Sequence, residues 1–244
     1  MMATVLRTVT ATRYVTPLRE GGSLPAIVEA DDDGLYVLKF RGAGQGPKAL
    51  AAEIVAGELA RALGLPVPEQ VLIELDPALG NAEPDPEIQD LIAASAGINL
   101  GVDFLPGSLP YDPTRPPAPQ LAADVVWLDA LITNVDRTPR NPNLLRWHTN
   151  LYLIDHGAAL YAFHGSDPLD RARNSFAAIR DHVLLPAAGS IAEADARLAE
   201  RADPTPAAAL VPAEWADGDL YAEFLARRLA GPRAWAEEAE RARG

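Results

Sequence analysis

Residues 134–157 read Asn134-Val135-Asp136-Arg137-Thr138-Pro139-Arg140-Asn141-Pro142-Asn143-Leu144-Leu145-Arg146-Trp147-His148-Thr149-Asn150-Leu151-Tyr152-Leu153-Ile154-Asp155-His156-Gly157. Residues 134–143 are polar and broken by Pro139 and Pro142, the composition of a loop. Residues 144–147 and 151–154 are apolar runs around His148-Thr149-Asn150, so they predict a short hairpin. Just upstream, Leu121, Val125, Leu128 and Ile132 recur at helical spacing and predict a buried helix. A hairpin placed there would bring Asp136 and Asp155 close together. The spacing D-x-x-x-x-N sets the Asp136 carboxylate and the Asn141 carboxamide at opposite ends of one loop. A carboxylate so placed can accept or orient the proton of an attacking hydroxyl, and an amide oxygen is a hard ligand suited to Mg²⁺. Asp155, at a strand end and followed by His156-Gly157, is a second candidate ligand. Each also has a plain structural reading, since polar loops are rich in Asp and Asn and Asp155 could cap a turn.

Upstream, the pattern changes to period two. Alternation around Val5, Val9 and Tyr14 predicts a strand, and Gly21-Gly22-Ser23 ends it. Residues 26–29 and 35–40 predict a hairpin turned by Asp31-Asp32-Asp33-Gly34. Alternation places Leu35, Val37 and Lys39 on one face of the second strand and Tyr36, Leu38 and Phe40 on the other. A lysine among apolar neighbours can reach phosphates while Val37 covers an adenine; it can equally be an edge-strand lysine reaching solvent. Residues 47–63 predict a helix that starts at a proline and stops at Gly64. Glu53 on that helix is the candidate partner of Lys39, with Glu58 as its competitor. Strands are expected at 71–75 and 99–105, with the acidic stretch 76–90 as solvated surface. The Pro-rich stretch 106–119 is the expected joint, and Phe104 and Leu105 just before it complete the candidate nucleotide-contacting residues. Everything after the second hairpin reads as mostly helical, with a Pro/Ala spacer at 203–212 and an amphipathic tail. The expected fold is α+β with two lobes, a small β-rich lobe carrying one helix over 1–105 and a mostly helical lobe over 106–244.

Composition narrows the function classes. The chain of 244 residues carries a net charge of −13, which argues against a general nucleic-acid binder. It has no apolar run long enough for a membrane span, and its first twenty residues lack a signal-peptide pattern, so a cytoplasmic location is expected. With no cysteine there is no disulfide, thiolate metal site or cysteine nucleophile. Of 21 basic residues only Lys39 and Lys48 are lysines, which singles out a lysine inside a strand. Residues 42–48 are not a Walker A loop, because Pro47 and Ala49 occupy positions that need Gly and Ser/Thr. His148, His164 and His182 have no metal-ligand spacing, Trp127 is expected in the core, and Trp147 in hairpin packing.

Lys39, Glu53, Asp136, Asn141 and Asp155 follow the chain order of a protein-kinase-type site. The runs Gly42-Ala43-Gly44-Gln45-Gly46-Pro47-Lys48-Ala49, Asn134-Val135-Asp136-Arg137-Thr138 through Asn141-Pro142-Asn143, and Leu153-Ile154-Asp155-His156-Gly157 resemble the HipA-like bacterial kinases, especially their compact branch. The resemblance covers about residues 5–165. It implies a protein-kinase-like fold and an ATP- and Mg²⁺-dependent transfer to a hydroxyl. Asp136 would be the catalytic aspartate, Asn141 and Asp155 the metal ligands, and Lys39 with Glu53 the phosphate clamp. His156 stands where eukaryotic kinases carry Phe. No G-x-G-x-x-G is present, so Gly22 and Ser23 are the only candidates for a phosphate-covering loop. The acceptor would be a protein Ser/Thr. A small cationic alcohol of the aminoglycoside or choline type, and a non-catalytic nucleotide-binding module, stay open.

Overall fold

The computed structural model describes residues 5–18, 24–44 and 46–244. The chain divides after residues 50, 67 and 106 into two compact units. The first holds five strands: β1 (Thr8–Pro17), β2 (Ala26–Ala30), β3 (Leu35–Lys39), β4 (Gln70–Leu75) and β5 (Gly97–Asp103). They close a barrel in the order β1-β2-β3-β5-β4, in which only the β1–β4 pair is parallel. Closure leaves no free sheet edge. Alternation works as expected on β3, where Tyr36 and Leu38 enter the barrel core with Val9, Val28 and Ile73 while Val37 and Lys39 stay partly accessible on the other face. The turn before it is tied by Asp32 Oδ1, which accepts the Gly34 N–H at 3.1 Å. Gly101 on β5 is required by packing, because a Cβ there would meet Ile73 Cδ1 at 2.3 Å and Val71 Cγ2 at 2.8 Å.

Helix α1 (Pro47–Ala62) begins in the first unit, and its residues from 51 onward belong to the second. The acidic stretch departs from expectation. Instead of plain solvated surface it contains a 3₁₀ turn, Pro77–Ala82, and helix α2 (Pro86–Ala94), whose Ile88 and Ile92 are buried in the barrel core. Asp85 caps α2 by accepting the Glu87 N–H at 3.1 Å, and Pro86 fits the first turn because no N–H is needed there.

The second unit is organised on helix α3 (Pro119–Leu131), buried on nearly all sides from Ala122 onward. Trp127 on it is core, as expected, with Nε1 donating to Asp195 Oδ1 at 2.8 Å and an edge contact to Trp235 at 5.3 Å. A small antiparallel sheet of β6 (Leu109–Pro110), β7 (Leu144–Trp147) and β8 (Asn150–Leu153) follows, so the Pro-rich joint itself supplies a short strand. Trp147 packs edge-on against Tyr152 within the β7–β8 hairpin. Residues 161–187 run through short 3₁₀ turns, and helices α4 (Ile191–Leu198), α5 (Thr205–Ala208), α6 (Gly218–Leu229) and α7 (Ala234–Arg243) complete the unit. The expected spacer thus contains α5. Arg228 is buried and finishes α3: its guanidinium donates to the carbonyls of Ala130 and Leu131 at 2.8 and 2.7 Å. Those are last-turn acceptors that the helix itself cannot satisfy. No helix among the described residues is long and apolar enough to cross a membrane.

Candidate active site

The loop from Asn134 to Asn143 leaves the C-terminal end of α3 and returns into β7. It is held from within. Asp136 N–H donates to Asn134 Oδ1 at 3.1 Å, and Thr138 N–H reaches the carbonyls of Asp136 and Asn141 at 2.9 and 3.1 Å. The Asp136 carboxylate is half-buried and takes both of its neighbouring carboxamides on one oxygen: Asn141 Nδ2 at 2.7 Å and Asn143 Nδ2 at 3.1 Å, each to Oδ2. Oδ1 is then the atom able to take a proton. Around it Val135, Pro139, Arg140 and Asn141 are exposed.

Below the loop lies a charge cluster. Asp129, fully buried on α3, accepts Asn134 Nδ2 on Oδ1 at 3.0 Å, and Arg137 Nε and His182 Nε2 on Oδ2 at 2.5 and 2.9 Å. Burial alone would raise the Asp129 carboxyl. The Arg137 charge and the His182 hydrogen bond overcome it and hold the group below the ordinary carboxylate range. Burial, partly opposed by Asp129, holds the His182 imidazole below its ordinary value. The other end of Arg137 donates through Nη1 to the carbonyls of Asn143 and, at 3.3 Å, Ile154. One guanidinium therefore ties the end of the loop to the peptide just before Asp155.

Asp155 follows β8 and is exposed, with φ at 55°. Next to it His156 is buried, and Glu53 on α1 is buried too, its Oε1 lying 3.7 Å from His156 Nδ1. Glu58, the rival partner, is bound by Arg61 Nε at 3.1 Å. Lys39 and Val37 share the accessible face of β3 in the first unit, where Phe104 N–H donates to Leu35 O at 2.9 Å and Leu105 is buried. Gly22 and Ser23 lie outside the described residues.

Among the described residues no three His, Cys, Asp or Glu side chains form a cage that could hold a metal by themselves. The donor set of Asn141 and Asp155 is of a different kind. With Nδ2 of Asn141 committed to Asp136, its Oδ1 is left for a ligand. One amide oxygen and one exposed carboxylate suit Mg²⁺, which commonly takes one or two protein oxygens and completes its shell with water and phosphate.

Sequence reasoning takes Asn134, Arg137 and Asn143 only as members of the family-like runs and His182 only as a rejected metal ligand, and it passes over Asp129. One signal was available. Asp129 is a lone charge inside the apolar run 125–132, and a charge buried there must be paired.

Two comparisons with known proteins, one by family and one by structure, point to the same fold. A family model described as HipA-like kinase matches residues 12–219. Among solved structures, the chain is similar to a Helicobacter pylori proinflammatory kinase, CtkA, at 15% identity and a TM-score of 0.59, covering 97% of this chain and 98% of that one. It is also similar to the Golgi casein kinase with Mn/ADP bound, at 14% identity and a TM-score of 0.58, covering 97% of this chain and 74% of that one. No curated protein sequence matches the chain. The architecture is the α+β, two-lobed kinase-like fold.

Proposed function

Because the chain belongs to the HipA-like kinase family and so to the kinase-type phosphotransferases, we propose that it moves the γ-phosphate of Mg²⁺-ATP to a Ser or Thr hydroxyl of a protein acceptor. The observation that carries this reading is the Asp136 carboxylate. Two carboxamides load its Oδ2, its Oδ1 is left to accept a proton, and the loop around it is exposed. A carboxylate standing on an open loop can be reached by a hydroxyl on a large partner.

In this mechanism Asp136 Oδ1 takes the acceptor's proton as its oxygen bonds to the γ-phosphorus, and the bond to the bridging oxygen breaks to release ADP. Asn141 Oδ1 and Asp155 would hold Mg²⁺, which when bound offsets phosphate charge. Lys39 would orient the phosphates, and Val37, Phe104 and Leu105 would contact the adenine. Gly22 and Ser23 would cover the phosphates. The location in this reading is the cytoplasm, with neither nucleic acid nor membrane as partner.

Mg²⁺-ATP should raise the melting temperature in a saturable way, by mass action worth about 2.7 kcal/mol at a hundred times the dissociation constant, and EDTA should remove most of it. Incubation with γ-labelled ATP, alone and with cell lysate, then tests the acceptor. Label on protein Ser or Thr supports the reading. Label in small metabolites would move the acceptor to a small alcohol, and no label with intact nucleotide binding would make the chain a binding module.

A further inference from the structure

His182 lies far from the catalytic loop in sequence, and nothing in the proposed reaction uses it. Its surroundings are specific. Nδ1 accepts the Leu184 N–H at 3.1 Å, so Nδ1 carries no proton and Nε2–H is the donor to Asp129 Oδ2 at 2.9 Å. The next residue, Val183, donates its N–H to the Arg137 carbonyl at 3.0 Å. The segment 182–184 is therefore fastened to the loop residue Arg137 twice, once through the backbone and once through Asp129.

We propose that His182 is a positioning residue for phosphotransfer, acting through Asp129 and Arg137 on Asp136 and Asp155. The inference rests on the kinase reading above. The path is a chain of contacts. His182 and Arg137 share Asp129 Oδ2, so losing the imidazole donor frees the Asp129 carboxylate to turn and Arg137 to follow it. Arg137 then loosens its hold on the carbonyls of Asn143 and Ile154. Asn143 is one of the two donors to Asp136, and Ile154 immediately precedes Asp155. Networks of this kind propagate a lost member because each bond fixes the next. Displacements of about 1 Å at reacting groups are enough to cost about a hundredfold in rate.

The substitutions His182→Leu and His182→Gln separate positioning from packing. A glutamine amide can place its nitrogen where Nε2 stands and donate to Asp129, whereas leucine fills the space without a donor. His182→Leu should lower kcat by roughly 10- to 100-fold with little change in KM for ATP, and His182→Gln should restore most of the loss. A second readout needs no turnover: the NMR signals of the Arg137 Nε–H and the Asn143 side-chain amide. Both should move in His182→Leu and stay near their wild-type positions in His182→Gln. Unmoved signals in the leucine variant overturn the inference, as does wild-type kcat in that variant with the signals moved. Wild-type protein without any phosphotransfer would sink the kinase reading instead, and the two signals alone would then decide whether His182 positions the loop. If His182→Leu does not fold, His182→Asn serves, since its shorter amide can meet Leu184 N–H but cannot reach Asp129.

Discussion

Replacing Arg137 by Met should strand a charge, and the size and pH dependence of the damage follow from the contacts. Methionine keeps much of the apolar stem and removes the guanidinium that donates to Asp129 Oδ2 and to two carbonyls. Breaking a fully buried ion pair from one side costs about 3–5 kcal/mol. The pH dependence carries more information. In the wild type both Asp129 and His182 have folded-state pKa values below their ordinary ones. Their contribution to stability is therefore present above the unfolded values and is lost as pH falls, starting near the ordinary histidine value of about 6.5. In Arg137→Met the buried carboxylate has lost its main counter-charge, so the Asp129–His182 pair takes up a proton more readily in the folded state. The unfolded chains titrate alike, so the difference between the two proteins isolates that uptake. It is worth up to about 1.4 kcal/mol per pH unit. Urea unfolding at pH 7.5 and 5.5, at fixed ionic strength, should show a deficit that shrinks by roughly 1–2.5 kcal/mol on acidification. Adding Asp129→Asn should recover part of the deficit at pH 7.5 and flatten its pH dependence. A deficit as large at pH 5.5 as at pH 7.5 would refute the stranded-charge argument.

Lys39→Met should leave circular dichroism unchanged and lower phosphotransfer by orders of magnitude; wild-type turnover would turn attention to Lys48. Asp136→Asn should keep nucleotide affinity and lose about 10²–10⁴-fold in turnover, the scale of general-base loss. Asp155→Asn should lose both Mg²⁺-dependent affinity and turnover, with partial recovery at raised Mg²⁺, and titration calorimetry across a Mg²⁺ series distinguishes the two variants. Gly101→Ala should lower stability by about 1–3 kcal/mol in urea unfolding, because Ile73 and Val71 are buried and cannot clear the new methyl.

Much of the fold was legible because its signals are local. The β2–β3 hairpin is written in alternation and an Asp-Gly turn, α1 in a leading proline and a trailing glycine, and the loop 134–143 in its prolines. The stretch 76–90 reads as surface because acids and prolines on average mark solvated loops. In place, Asp85 and Pro86 are a helix start, and Ile88 with Ile92 is a buried i, i+4 pair. The cluster under the loop escaped for another reason. His182 is 53 residues from Asp129, and no periodicity connects them. His182 lacks metal-ligand spacing, but a buried histidine can serve a carboxylate as well as a metal, as it serves Asp129 here. The roles of Lys39 and Glu53 rest on chain order and resemblance, and Lys39→Met tests the first of them.

The backbone around the loop explains why so much buried charge is concentrated there. Thr133, Asn143 and Asp155 all adopt left-handed conformations, with φ of 52°, 49° and 55°. They stand at the entry to the loop, at its exit into β7 and just past β8. Asn and Asp tolerate this region because their short polar side chains bond locally, but β-branched Thr133 does not, and its buried hydroxyl has no hydrogen-bond partner among the described residues. Non-glycine residues held so cost on the order of 1–3 kcal/mol each and persist only where surrounding contacts over-determine them. Here those contacts are identifiable. Asp129 fixes Asn134 next to Thr133, while Arg137 fixes the carbonyls of Asn143 and of Ile154, the residue before Asp155. Each strained corner thus lies at or beside a bond made by the same buried ion pair. The pair's value lies less in net stability, where a well-packed apolar substitute could do as well, than in holding three bends that the local sequence would otherwise relax.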